Sequence, residues 1–418
     1  MNSGEYKVMG FAPYGEPKCS KLIMDNVVDV KEDGSFRLYL SYFDYCTGLR
    51  MTNEKFDALF EAPPRSPESQ LTQREMDLAA SIQDVTEEIV LRLGRSIAKE
   101  TGEKNLCLAG GVALNCVAND KLLRDKSFDN IWIQPAAGDA GGALGTALIA
   151  HHNFQGQPRK LNGVMDGMKG SYLGPEFAQD DIEKRRTAAG VKFTFQPDDE
   201  TTENTVSALT EGKVVGWFQG RMKFGPRALG GRSILGDPRD PAMQKTLNLR
   251  VKYRESFRPF APSVLAEDVG EWFEHEGISP YMLMVANVKE NHRREMTAEE
   301  QALFGIEKLN VPRSDIPAIT HVDYSARIQT VHKKTNPRYY ALIKSFKEKT
   351  GCPIVINTSF NVRGEPIVCT PEDAFRCFMG SGIEVLVVGN FYYAKKIRTR
   401  LWRKITKTNS NWIRRFSF

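Results

Sequence analysis

Apolar and polar positions repeat with two different periods along the chain, and the changes of period mark its organisation. Over residues 27–60 they alternate around Phe36, Leu38, Leu40 and Tyr42, which predicts strands with loops. Thr72 and Glu75 then form a capping-box pattern ahead of Met76, Ala79, Ile82, Val85, Ile89, Leu93 and Ile97. That spacing predicts a long amphipathic helix, stopped by Gly102. Next come a strand in NLCLAGG, a helix from about Asn115, a strand in NIWIQP, and GDAGGALGTALIAHH as turn and helix. Over 151–170 the pattern dissolves into HHNFQGQPRKLNGVMDGMKG, which reads as an inter-domain linker.

A second α/β pattern follows. Its apolar runs predict strands at 192–196, 214–219, 260–265, 282–288, 326–331, 353–358 and 385–393, with helices near 203–211, 242–251, 268–275, 337–350 and 371–380. The organisation expected is therefore 1–165, 170–395 and a tail at 396–418. At 418 residues, two domains are the ordinary expectation.

Composition narrows the class. With 41% apolar and 26% charged residues the chain reads as soluble and globular, and no apolar run is long enough to span a bilayer. The opening MNSGEYKVMG lacks the basic start and apolar core of a secretory leader. Seven Cys are scattered without a CxxC pair, so they read as buried thiols of a reducing, cytoplasmic compartment. The net charge of +5 is modest, and part of it sits at 395–418, where basic residues interleave with Trp402, Trp412, Phe416 and Phe418. Such an end is a frayed tail or a contact for a membrane surface or nucleic acid.

The densest charge lies within 220–262, where Arg221, Lys223, Arg227, Arg232, Arg239, Lys245, Arg250, Lys252, Arg254 and Arg258 face only Asp237, Asp240 and Glu255. Gly225, Pro226, Gly230, Gly231, Pro259 and Pro262 break this stretch into turns. Guanidinium groups on glycine-bracketed turns match phosphate or carboxylate oxygens two at a time, so a pocket for a small polyanion is expected; a solvated basic face is the alternative. Two glycine-rich turns after strands, at Gly110–Gly111 and at Gly138–Gly141, fit a nucleotide phosphate or merely close helix–strand packing. Asn357, Thr358, Ser359 and Asn361 follow the apolar strand PIVI, where they either bind a ligand or cap a turn. Asp139 is the one carboxylate placed like a metal or nucleotide ligand, with a turn cap as its plain alternative. No HxxxH, HExxH, GxSxG, Walker loop or GxGxxG occurs.

Taken in order, GEYKVMGFAPYG, LAGGVALNCVAN, QPAAGDAGGALG, KFGPRALGGRSILGDPR, ESFRPFAPSVL, THVDYSARIQTV and NTSFNVRGEPIV resemble the NodU/CmcH-type O-carbamoyltransferases. The resemblance implies an α/β fold in which a partial actin-like (ASKHA) lobe precedes a YrdC-like α/β domain. It implies that carbamoyl phosphate and ATP give carbamoyl adenylate, and that a metal, with Mg and iron or another divalent ion expected, helps transfer the carbamoyl to a hydroxyl of a sugar or natural product. By the same resemblance Arg227, Arg232, Lys252, Arg258, Arg327 and Ser359 serve the chemistry. Gly110, Gly111, Asn115, Gly138, Gly141, Arg250, Asn357, Thr358 and Asn361 hold nucleotide or carbamoyl phosphate, and Asp139 holds metal.

Two departures stand out. The family's first lobe, with an HxxxH segment, has no counterpart ahead of GEYKVMG, so the chain is expected to lack it through truncation or to borrow it from a separate chain. Tyr324 stands where the family more often has Gly. The rival readings are a catalytically incomplete subunit and an RNA-modifying protein of the threonylcarbamoyl type, though nucleic acid is not the expected partner.

Overall fold

A computed structural model describes residues 4–66, 69–160, 166–191 and 193–395. The expected tail at 396–418 lies outside the described residues. In the first part, β1 (Val28–Val30) and β2 (Phe36–Leu38) form an antiparallel hairpin. The helix Gln73–Thr101 starts as its sequence dictates: Thr72 N–H donates to Glu75 Oε2 at 2.7 Å, completing the capping box, and Gly102 ends it with φ +67°. It packs on Glu5–Phe11 and on Cys116–Arg124, whose first turn is capped by Asn115 Oδ1 accepting from Ala118 N–H at 3.1 Å. β3 (Asn105–Leu108) and β4 (Asn130–Ile133) pair in parallel, each leading into a glycine turn. The helix Ala140–Ile149 follows the second of these turns.

The second part is built on one mixed sheet of nine strands: β5 (Thr194–Phe195), β6 (Val215–Phe218), β7 (Arg232–Gly236), β8 (Ala261–Leu265), β9 (Met284–Asn287), β10 (Ser325–Val331), β11 (Ile354–Ser359), β12 (Val385–Val388) and β13 (Phe391–Ala394). Their order is β5-β13-β12-β6-β7-β11-β8-β10-β9; β6 with β12 and β8 with β10 run parallel, the other neighbours antiparallel. Continuous apolar runs such as VGWF and VLVV are buried throughout, as strands covered on both faces must be. The helix Pro337–Thr350 begins on a proline with Asn336 as its cap and ends at Gly351, φ +77°, so both boundaries fall where the sequence sets them.

Some expectations need correction. β7 lies in the basic stretch expected to be turns, the run at 385–393 folds back on itself at Gly389, and helices at Glu54–Leu59 and Gln179–Ala188 fall where none was expected. Cys46 and Cys107 are exposed, so not every thiol is buried. Among the described residues no helix is long and apolar enough to cross a membrane.

The two parts share their cores. Ala113, Ile133 and Ala137 pack with Leu229, Ala261, Met282 and Leu283, and Phe11, Tyr14 and Met76 pack with Phe257. Asn119 Nδ2 bridges them, donating to the Ala113 carbonyl at 2.8 Å and the Leu283 carbonyl at 3.0 Å.

Candidate functional site

A cavity of about 1250 Å³ opens where the two parts meet. The glycines of GPRALGG bring its basic loop there. Gly225 has φ +123°, and a Cβ on it would stand 2.7 Å from the Pro135 carbonyl oxygen at the end of the β4 segment, so only glycine lets the loop lie there. Gly230 has φ +86° and would drive a Cβ to 2.3 Å from the Tyr339 ring. Between them Arg227 reaches across, its Nη2 donating to the Leu114 carbonyl at 3.3 Å.

The cavity gathers most of the residues singled out from the sequence. Arg227, Lys252, Arg258, Arg327 and Ser359 line it, as do Gly111, Asn115, Gly138, Asn357, Thr358, Asn361 and Asp139. Four do not. Arg232 is fully buried, its Nη1 donating to the carbonyls of Gln219, Gly220 and Gly231 at 3.0, 3.1 and 2.8 Å and its guanidinium lying 3.6 Å over the Phe218 ring, so it ties down the loop. Arg250 is exposed, and Gly110 and Gly141 shape turns; a Cβ on Gly141 would stand 2.2 Å from the Ala136 carbonyl oxygen.

Among the described residues Arg227, Lys252, Arg254, Arg258 and Arg327 make no ion pair, whereas Glu255, also on the wall, is taken by Lys7 at 3.2 Å. Burial, then the Arg327 charge, pushes Arg227 down to about 9; burial, then Arg258 and Arg327, pushes Arg254 down to about 9. Burial also lowers Arg258 and Arg327. Guanidinium groups keep their protons at neutral pH, so this crowding is an unmet demand for an anion. Burial also lowers Lys252, whose Nζ contacts the Ser359 carbonyl and donates to Asn361 Oδ1 at 2.8 Å and the Asn361 carbonyl at 2.9 Å. Ser359 Oγ donates to the same Asn361 Oδ1 at 3.0 Å, so Lys252, Ser359 and Asn361 form one polar corner. Beside the loop, burial, then Arg232 and Arg227, pushes Lys223 down to about 8.

Arg254, His321 and Asp323 are among the cavity groups given no individual site role from the sequence. Arg254, two residues beyond Lys252, sits on the wall with its Nε donating to Asn248 Oδ1 at 2.8 Å. The i,i+2 spacing of two basic residues beside the glycine turns was the available signal. His321 and Asp323 also line the cavity, their Nδ1 and Oδ1 atoms 3.5 Å apart. Burial alone would raise the Asp323 carboxyl, but His321 and the Ser325 donors hold it well below the usual carboxylate range. Tyr324 between them has φ +63°, the left-handed backbone that a glycine adopts freely. Asp139 is exposed on the wall, and among the described residues no three His, Cys, Asp or Glu side chains come together to hold a metal ion.

Comparison with known proteins bears on this geometry. Residues 206–395 match the family model described as carbamoyltransferase C-terminus, and residues 1–148 match the one described as carbamoyltransferase N-terminus. An uncharacterised protein of Synechocystis, sll1178, is 62% identical over 397 residues, 94% of this chain and 64% of its own length. Nodulation protein NolO of Bradyrhizobium diazoefficiens is 40% identical over 395 residues, 94% of this chain and 66% of its own. A 3'-hydroxymethylcephem-O-carbamoyltransferase of Amycolatopsis lactamdurans is 33% identical over 290 residues, 69% of this chain and 49% of its own. The chain thus spans between about half and two thirds of the length of these curated relatives.

Proposed function

Since this chain belongs to the carbamoyltransferase family, we propose that it uses ATP to activate carbamoyl phosphate and passes the carbamoyl group to a hydroxyl of a small-molecule acceptor. The observation that carries this reading is the set of guanidinium groups without carboxylate partners around one cavity. Water takes the phosphoryl group of carbamoyl phosphate as inorganic phosphate, an oxygen of the carbamate left behind attacks the α-phosphorus of ATP and expels pyrophosphate, and the acceptor hydroxyl then attacks the carbamoyl carbon of the adenylate, releasing AMP and a proton. Arg227, Arg254, Arg258 and Arg327 bind the phosphoryl oxygens and stabilise the charge that grows on them. Lys252 and Ser359 hold the end of β11 against that charge, and Arg232 keeps the glycine loop in place. Gly111, Asn115 and Gly138 receive the nucleotide. The fold arrangement proposed is an actin-like lobe followed by a YrdC-like domain.

A hydroxyl acceptor is supported by the hydroxymethylcephem in the name of one relative. Mg enters with ATP. The described residues do not by themselves fit a transition-metal site, because Asp139 stands without two further ligands. The test is exchange of labelled pyrophosphate into ATP, dependent on carbamoyl phosphate. Exchange by the purified protein that falls at least about 100-fold in Arg327→Ala is the expected result. A folded protein that never exchanges sinks the proposal.

A further inference from the structure

The turn that leads into β10 carries a histidine that no step above uses. Ser325 and Arg327, two residues apart on β10, face the cavity together, and the turn before the strand brings His321 and Asp323 to the same wall. That turn is held from both sides. His321 N–H donates to the Ser325 carbonyl at 2.8 Å, and the His321 carbonyl accepts from Tyr324 N–H at 3.0 Å and from Arg313 Nε at 3.2 Å. Arg313, itself buried, also donates from Nη2 to the Thr320 carbonyl at 3.0 Å. The left-handed backbone of Tyr324 completes the reversal, and the Tyr14 ring stands edge-on to the imidazole at 5.3 Å. A side chain mounted this firmly keeps one orientation.

His321 is only 7% exposed, yet neither of its ring nitrogens has a hydrogen-bond partner among the described residues. Buried polar groups are ordinarily satisfied, so a histidine on a cavity wall that satisfies neither nitrogen points to a ligand. Its Nδ1 lies 3.5 Å from Asp323 Oδ1, just beyond a good hydrogen bond, a gap of the kind that closes when substrate arrives. Asp323 is fixed to receive it, because Oδ1 also accepts from Ser325 N–H at 3.0 Å and from Ser325 Oγ at 2.7 Å. With its proton on Nδ1, toward that carboxylate, the neutral ring keeps Nε2 as a lone-pair acceptor.

We propose that His321 is the general base for the water that takes the phosphoryl group of carbamoyl phosphate, with Asp323 as its positioning residue. This rests on the carbamoyl-transfer reading and adds to it the residue that starts the reaction. A proton of the water passes to Nε2 as the water oxygen bonds to phosphorus. The bond from phosphorus to the bridging oxygen breaks, and carbamate leaves with that oxygen. Arg327, on the same wall, steadies the phosphoryl charge, and the imidazolium then returns its proton to solvent.

Carbamate supplied directly, as ammonium carbamate, bypasses the water step. Pyrophosphate exchange by the whole protein is therefore measured twice, driven by carbamoyl phosphate and driven by carbamate. His321→Gln is expected to lose at least about 100-fold with carbamoyl phosphate and less than about 3-fold with carbamate. Asp323→Asn is expected to lose about 10-fold with the first and as little with the second. A purely structural role would depress both assays alike, and that result, or no loss in either, overturns the assignment. Wild type gives a second reading that needs no variant: in heavy-oxygen water the label is expected in the released phosphate, and unlabelled phosphate means that water does not attack phosphorus, which also overturns it. Wild type that exchanges with carbamate but not with carbamoyl phosphate overturns the role of His321 and leaves ATP activation standing. A folded wild type that exchanges with neither sinks both.

Discussion

At the scale of single residues, the two kinds of buried arginine make opposite predictions. Arg232 satisfies three carbonyls in its own loop, so Arg232→Met strands them and is expected to cost about 2–4 kcal/mol of stability, read as a lower urea midpoint. Arg327 faces other positive charges, so Arg327→Ala is expected to leave the ligand-free protein as stable as wild type, or more so, while abolishing exchange. A matching loss of stability in both variants would contradict this division. Lys223 titrates lower in the folded chain, at about 8 against 10.5, so the unfolded chain binds the extra proton between those values and stability gains from this residue as pH rises through them. Lys223→Met is therefore expected to be stabilised by about 1–2 kcal/mol at pH 7, an advantage over wild type that shrinks by pH 10. An unchanged difference across that range in parallel urea titrations would rule the effect out. The sequence named both arginines alike, because whether a guanidinium meets carbonyls or a cavity depends on contacts made far along the chain.

At the scale of elements, legibility followed local chemistry. The helices Pro337–Thr350 and Pro371–Gly380 begin on prolines behind Asn336 and Thr370 caps, signals that act within one turn, and both bounds were readable. β7 was hidden because RSILG is short, starts with a charge and follows glycines; it becomes a strand only through β6 and β11 on either side. The glycine loop was read as a ligand-binding turn, and its backbone supports a sharp test. Gly225→Ala forces the loop off the Pro135 carbonyl, so exchange is expected to fall at least about 10-fold while circular dichroism keeps the wild-type spectrum. Activity at the wild-type level would show that the close approach does not position Arg227.

At the scale of the whole molecule, the expected linker at 151–170 joins parts that pack as one. Apolar clusters of Phe11, Tyr14, Met76 and Phe257, and of Ala113, Ile133, Leu229 and Met282, cross between them. A chain cut by a protease within 151–170 is thus expected to elute from gel filtration as one species under native conditions. Separate elution of two folded pieces would mean that the shared clusters contribute little. The cavity itself was only half legible: its residue types were readable from motifs, but its place between the two parts arises from contacts more than a hundred residues apart, such as Lys7 with Glu255 and Asn119 with Leu283.

Ala261 sits where the cores of the two parts meet, buried in one cluster with Leu229, Met282 and Leu283. A larger side chain there would act as a wedge between the two walls of the cavity, so the alignment of the whole site hangs on one methyl group.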